Sequence, residues 1–341
     1  MIPQLIALAV ALVQCMALSV WAGEMDDATE AFDRKDYSVA LQKYKSAATS
    51  GKRSAMTAIA SMYLYGNGTV PDKVEALRWY RMAAEKGDAH AKGMLAIYVN
   101  NGRAGPDFIE AEKWFKVAAK QGQAESQLFL GIMYEEGQGV RKDYAEAERW
   151  YRLAALQGNV KAQTNLGVMY GSGAGVKPDY IEAMKWYRLA AEKGVANAQA
   201  NLGILYGKGL GAAQNHLEAI KWFRLAAEQG HAIAQANLGA KYELGQGVAN
   251  DDREAVKWYR LAAAQGISAA QGNLGVMYAR GRGVAQDNLR AYMWSSLGAL
   301  SGEKAFQTNS DLLARKMSAQ DLVAAQDMTR ACQVRKFKGC E

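Results

Sequence analysis

Apolar residues recur along this chain with the period of a helix, not that of a strand. Between positions 160 and 172, Ala162, Leu166, Met169 and Tyr170 stand at i, i+4, i+7 and i+8, one stripe of an amphipathic helix. Between 144 and 156, Ala147, Trp150, Leu153 and Ala154 stand at i, i+3, i+6 and i+7 and make a second stripe. The second helix has a start signal. Asp72, Asp107, Asp143, Asp179, Asn215, Asp251 and Asp287 hold one slot, and Glu75, Glu110, Glu146, Glu182, Glu218 and Glu254 follow three residues later. Asp-x-x-Glu ahead of an apolar run predicts a capping box, in which each side chain takes up a free backbone N–H of the first turn. Glycines after the first stripe, such as Gly173 and Gly209, predict the left-handed residue that ends a helix. The predicted unit is helix, glycine turn, helix, turn, and the fold class is all-α.

That unit is copied along the chain. Tryptophan falls at Trp79, Trp114, Trp150, Trp186, Trp222, Trp258 and Trp294, a first step of 35 residues followed by steps of 36. A glycine stands eight residues after each one, from Gly87 to Gly302, and a leucine slot precedes it at Ile59, Leu95, Leu130, Leu166, Leu202, Leu238 and Leu274. The short step lies between Gly102 and Asp107, in a turn, where losing a residue disturbs least. Neither helix can bury its stripe alone, so the units must stack as an α-solenoid of antiparallel helix pairs. Small residues after the leucine slot (Ala60, Ala96, Gly131, Gly167, Gly203, Gly239, Gly275) predict close helix approach, with Trp and Tyr filling the remaining volume.

Leu-Gly-x-x-Tyr, a Gly-x-Gly turn and Ala-x-x-Trp-Tyr-x-x-Ala-Ala-x-x-Gly within 36 residues resemble the Sel-one-like repeat (SLR) family, a relative of the tetratricopeptide repeat. The resemblance covers seven units over 52–302. Residues 23–51, with Phe32, Tyr37, Ala40 and Tyr44, read as a tetratricopeptide-like opening helix pair. Residues 303–341 read as a C-terminal helical cap, with predicted helices at Asp311–Met317 and Ala319–Val334. The resemblance implies a non-catalytic protein–protein interaction scaffold of an exported bacterial type, holding its partner in the concave groove of the solenoid.

The ends of the chain bear on location. Residues 1–22 read as a signal peptide: no charged side chain precedes Glu24, and Leu5 to Val20 is interrupted only by Gln14 and Ser19. The alternative is an uncleaved N-terminal anchor, because the basic leading residues are missing and Ile2–Ala22 is just long enough to span a bilayer. Both readings place the remainder in the periplasm or outside the cell. Cys332 and Cys340 would lie about 12 Å apart on one continuous helix, beyond the roughly 7 Å Cα limit for a bridge. A disulfide therefore requires the helix to break before Cys340, which Gly339 permits. An oxidising compartment favours the bridge, and two free thiols are the alternative.

Composition narrows the chemistry. Three cysteines and three histidines in 341 residues exclude multi-cysteine metal centres and leave little stock for a histidine metal site, so neither metal nor cofactor is expected. There is no His-Glu-x-x-His, Cys-x-x-Cys or Gly-x-Ser-x-Gly. The glycine-rich turns lack the Gly-Lys-Ser/Thr ending of a phosphate loop. Ser301-Gly-Glu-Lys304 matches Ser-x-x-Lys, but its partners Ser-Asp-Asn and Lys-Thr-Gly are absent, so a β-lactamase-like or cell-wall hydrolase reading falls behind a non-enzymatic one. The net charge is +7. Arg78, Lys113, Arg149, Lys185, Lys221 and Lys257 each stand three residues from a box glutamate, which predicts a partly neutralised outer face instead of a nucleic-acid track.

By analogy with tetratricopeptide stacks, the first helix of each unit lines the groove. Slots on that helix whose chemistry changes between units are the candidate partner-binding residues: Tyr65, His90, Asn101, Glu125, Glu135, Glu136, Lys161, Asn197, Lys208, Glu243 and Arg280. Ordinary solvated helix positions are the alternative for them. The regular Asn165, Asn201, Asn237 and Asn273 ladder is expected to bond backbone. The expected partner is a protein, with a polysaccharide or host glycoprotein as the rival; no nucleic acid is expected, and a membrane only through an uncleaved N-terminal segment.

Overall fold

The structure, a computed structural model, describes residues 25–100 and 108–340. The expected signal segment lies outside them. Every regular element among the described residues is a helix, and none is long and apolar enough to cross a membrane. The chain divides into two compact units, 1–162 and 163–341. The first holds α1 (25–33), α2 (Tyr37–Thr49), α3 (Arg53–Tyr65), α4 (Lys73–Glu85), α5 (Ala89–Asn100), α6 (Phe108–Lys120), α7 (Ala124–Glu136) and α8 (Tyr144–Leu156). Helix α9 (Val160–Ser172) runs across the division. The second holds α10 (Tyr180–Glu192), α11 (Ala196–Lys208), α12 (His216–Glu228), α13 (Ala232–Leu244), α14 (Asp252–Ala263), α15 (Ser268–Arg280), α16 (Asn288–Ala299), α17 (Lys304–Lys316) and α18 (Ala319–Val334). Within each unit, successive helices pack on one another as an α-solenoid.

The helix starts follow the predicted signal only in part. Asp179 accepts the backbone N–H groups of Ile181 at 2.9 Å and Glu182 at 3.0 Å, and Asp72, Asp143 and Asp251 do the same in their repeats. The reciprocal half of the box is taken over. The Asp179 N–H donates to the Tyr170 carbonyl at 3.0 Å, as Asp251 N–H does to Tyr242. Glu182, released from capping, accepts from Lys185 at 3.1 Å and from the Trp186 indole at 3.1 Å. At the other end, Gly209 adopts φ 70° and Gly211 φ 78°. A Cβ on Gly211 would also lie 2.4 Å from the Tyr180 carbonyl oxygen of the preceding helix, so both its dihedral and its surroundings demand glycine.

The core corrects the predicted stripe of the second helix. Leu153 is 40% exposed, whereas Tyr151, one residue after the tryptophan, is fully buried. The glycine slot explains it. A Cβ on Gly131 would sit 2.4 Å from the Tyr151 ring, and one on Gly167 2.5 Å from Tyr187; Gly203 and Gly239 stand in the same relation to Phe223 and Tyr259. The predicted close approach is real, but the ring seated on the glycine belongs to the residue after the tryptophan.

A buried polar ladder accompanies it. Gln127, Gln199, Gln235 and Gln271 each donate Nε2 to the carbonyl eight residues earlier, at 3.0–3.1 Å. These carbonyls (Ala119, Ala191, Ala227, Ala263) lie in the last turn of a second helix, where each accepts the N–H of the glycine three residues on and has a second lone pair free for the glutamine. Gln157, Gln229 and Gln265 in turn donate to Gln127, Gln199 and Gln235 at 2.7–2.8 Å. In these four repeats the glutamine amide, buried and costly to leave unpaired, stitches the repeat to the one before it.

At the C-terminus α17 starts at Lys304, seven residues ahead of the predicted Asp311. Both α17 and α18 pack on α16, and the Phe306 ring covers Gly272. Cys332 and Cys340 form the disulfide, with Cα atoms 5.4 Å apart. The break that allows it comes earlier than Gly339: α18 ends at Val334, and Lys336 and Phe337 reverse the chain at φ 50° and 67°. Reduction, or Cys340→Ser, is expected to remove about 2–3 kcal/mol from the tail on the loop-entropy account. Amide exchange over α18 should accelerate while α10 to α13 stay protected.

Candidate functional site

Most polar groups at constant slots are spent inside the chain. The basic residue before the tryptophan pairs with the box glutamate as spacing predicts: Arg149 with Glu146 at 3.2 Å, Lys185 with Glu182 at 3.1 Å and Lys257 with Glu254 at 3.0 Å. The basic residue two places after the tryptophan has a different task. Arg224 donates to the Tyr242 hydroxyl at 2.6 Å and Arg260 to Tyr278 at 2.8 Å; Arg188 and Tyr206 form the same pair. These bonds join the second helix of one repeat to the first helix of the next, which accounts for the tyrosine of Leu-Gly-x-x-Tyr. The asparagine ladder divides. Asn237 bonds the Ile233 carbonyl at 2.8 Å, as expected, but Asn273 donates to the Tyr259 hydroxyl at 3.2 Å and Asn201 bonds that of Tyr187. Burial raises the pKa of both phenols, so they remain neutral donors and acceptors.

The candidates on the first helices fall into two groups. Tyr65, at the end of α3, is 68% exposed, and His90, Glu125, Glu136, Lys161, Asn197, Lys208 and Arg280 are exposed as well. Asn101 lies outside the described residues. Two of the exposed residues are brought together from adjacent repeats: Glu125 accepts from Asn159 at 2.8 Å and stands 4.0 Å from Lys161. Glu136 accepts from the Gln138 amide. The second group is half-buried and engaged. Glu135 accepts from the Tyr151 hydroxyl at 2.5 Å. Glu243 accepts from Tyr259 at 2.8 Å and pairs with Arg282 at 3.1 Å. Arg282 also pairs with Asp252 at 2.6 Å, and that hydrogen bond holds the Asp252 carboxyl below its ordinary range. Glu135 and Glu243 thus have a packing role that spacing could not suggest, because it depends on the phenol reaching them from the neighbouring helix.

The remaining chemistry is local. His231 caps α13, its Nδ1 accepting the Ala234 N–H at 3.2 Å. Ser301 donates to the Gly298 carbonyl at 2.8 Å at the end of α16. No group of three or more His, Cys, Asp or Glu side chains is placed to hold a metal among the described residues. An open depression of about 400 Å³ lies between the first helices α11 and α13, lined by Ile204, Gly207, Lys208, Phe223, Asn237 and Lys241.

Comparison with known proteins agrees with this architecture. The Sel1 repeat profile matches seven consecutive segments, 53–88, 89–123, 124–159, 160–195, 196–231, 232–267 and 268–303. A Sel1 repeat protein from Oxalobacter formigenes is similar in structure, with 28% identity and a TM-score of 0.65 over 87% of this chain and 90% of that one. The c5321 protein, a protective antigen of uropathogenic Escherichia coli with an SLR fold, shares 26% identity and a TM-score of 0.58 over 96% of this chain and 94% of that one. A comparison with curated protein sequences finds no match. Seven repeats in one register, four of them with an aromatic ring seated on the glycine of the first helix, place the chain in the Sel1 repeat family.

Proposed function

We propose that this protein is a non-catalytic scaffold of the bacterial envelope that holds a partner protein against the face built by its first helices. The Sel1 repeat builds a scaffold fold commonly used for protein interaction. The observation that supports the reading is how the slots divide. Constant polar slots close bonds within and between repeats, while Tyr65, His90, Glu125, Lys161, Asn197, Lys208 and Arg280 are exposed and differ from one repeat to the next. Constant slots specify the fold; only the variable ones can carry recognition.

An exported setting is supported by the apolar run at 1–22 and by the Cys332–Cys340 bridge, since disulfides persist in oxidising compartments. The similar E. coli chain is a protective antigen, which agrees with that setting. The test is a photo-crosslinking residue placed in turn at Tyr65, at Lys161 and, as a control, at Leu225 on the second helix α12, in the native envelope. One protein should be captured from the first two positions and not from the third, and Glu125→Arg should reduce its capture at Lys161. Capture of glycan alone, or nothing at any position, overturns the proposal.

A further inference from the structure

One core slot breaks its rule once. Three residues after the leucine, the repeats carry Met62, Met133, Met169, Leu205 and Met277, all buried, and Tyr98 in the second unit. The repeat at 232–267 carries Lys241 there instead. Its amine is half-buried, donates to Gln246 Oε1 at 2.7 Å and lies 3.2 Å from His216 Nδ1. Gln246 Oε1 is an uncharged acceptor, and His216 Nδ1 is one in the tautomer that carries its hydrogen on Nε2. Desolvation holds the lysine pKa below its ordinary value, with no opposing contribution from an anion. A cation at an apolar slot weakens the fold unless something pairs with it.

The surroundings leave this amine accessible. It lines the depression of about 400 Å³ between α11 and α13, with Lys208 on the facing helix and Ile204 and Phe223 as apolar walls. Gly207 keeps the place open, although packing does not require a glycine: a Cβ there would meet Ala219 at 3.7 Å and Lys241 Nζ at 4.0 Å, both ordinary contacts.

We propose that this depression binds a carboxylate group, with the Lys241 ammonium as its direct partner, Lys208 as a second cation and the apolar walls taking the attached methylenes. Where the carboxylate is an acidic side chain of a partner protein, the proposal rests on the scaffold reading above; a free small carboxylate has the same chemistry.

The full chain would be titrated with glutarate and with the peptide acetyl-Gly-Glu-Gly-amide, and with the uncharged analogues glutaramide and acetyl-Gly-Gln-Gly-amide. Calorimetry and the amide shifts of 204–208 and 237–241 provide the readout. At least one acidic probe should bind and the amides should not. Lys241→Met should weaken binding by about tenfold or more, as expected for loss of a charge-assisted bond. The same substitution introduces the residue that the following repeat carries as Met277 and should raise Tm by about 2–4 °C, so loss of binding cannot be attributed to misfolding. Preference for the peptide assigns the carboxylate to a protein, and equal or better glutarate binding assigns it to a small molecule. If neither acidic probe binds, or if binding survives Lys241→Met, the proposal fails. Capture at Tyr65 and Lys161 is a separate measurement, so the scaffold reading can stand when this site falls.

Discussion

Tyr259→Ala is expected to lower the stability of the repeats around it by about 3–5 kcal/mol, the range for truncating a buried aromatic side chain. The ring is fully buried and rests on Gly239, whose missing side chain makes room for it. Its hydroxyl donates to Glu243 of the same repeat and accepts from Asn273 of the next, so one side chain ties three helices together. Tyr259→Phe should cost less, about 1.5–3 kcal/mol for the lost bond to a carboxylate, because Phe223 already fills this slot one repeat earlier and the ring stays in place. Unfolding of a solenoid need not be all-or-none. Denaturant titration should therefore be paired with native-state hydrogen exchange, where α13, α14 and α15 should lose protection first. An alanine variant within 1 kcal/mol of wild type would show that the stack relaxes into the vacancy.

Gly167→Val should be as damaging from the opposite direction. Its first side-chain atom would stand 2.5 Å from two carbons of the Tyr187 ring, well inside van der Waals contact. The ring is not free to swing aside, since its hydroxyl is bonded to Asn201 on the following helix. Overpacking and displacement together should cost about 3 kcal/mol or more. Gly167→Ala should be milder, because the first repeat carries Ala60 at this slot opposite a buried Tyr80, and alanine returns up to about 1 kcal/mol of helix propensity. The decisive comparison is a double-mutant cycle. In a Tyr187→Ala background the valine should be nearly neutral, giving a strongly sub-additive pair measured by chemical denaturation. Additive costs would mean the clash is relieved elsewhere.

Much of this fold can be read from the residues because its constraints are local and repeated. Helical period, aspartate caps and left-handed glycines each involve residues a few positions apart, and repetition through seven units removes the ambiguity any single copy would carry. Contacts between helices were harder to read. Tyr151 and Leu153 look alike as apolar neighbours of Trp150, and only the docking of Gly131 shows which is inside. Glu182 and Glu254 fit the capping motif, yet an indole and a lysine on the same turn, just beyond it, take their carboxylates. The glutamine ladder gave no hydrophobic signal, being polar and buried at once. On the candidate face, exposure agreed with slot variability at Tyr65, Glu125 and Lys161. At Glu135 and Glu243 it did not, because a phenol from the adjoining helix occupies the carboxylate. Lys241 carries no recognition signal in the sequence, because it stands at a slot that is apolar in the other repeats and not at one of the variable ones.

The glutamine ladder also bears on how such a chain evolves. Gln199 with Gln229 and Gln235 with Gln265 are the same joint written twice, with the same backbone carbonyl closed in each. If unequal recombination removes or duplicates one whole 36-residue module, the flanking modules meet a surface they already fit. The last module is different: Phe306 over Gly272 and the Cys332–Cys340 bridge occur once and belong to the end of the stack. Lineages are thus free to lengthen or shorten the interior by a single genetic event, each time gaining or losing one set of reading positions, while the terminus must be inherited intact.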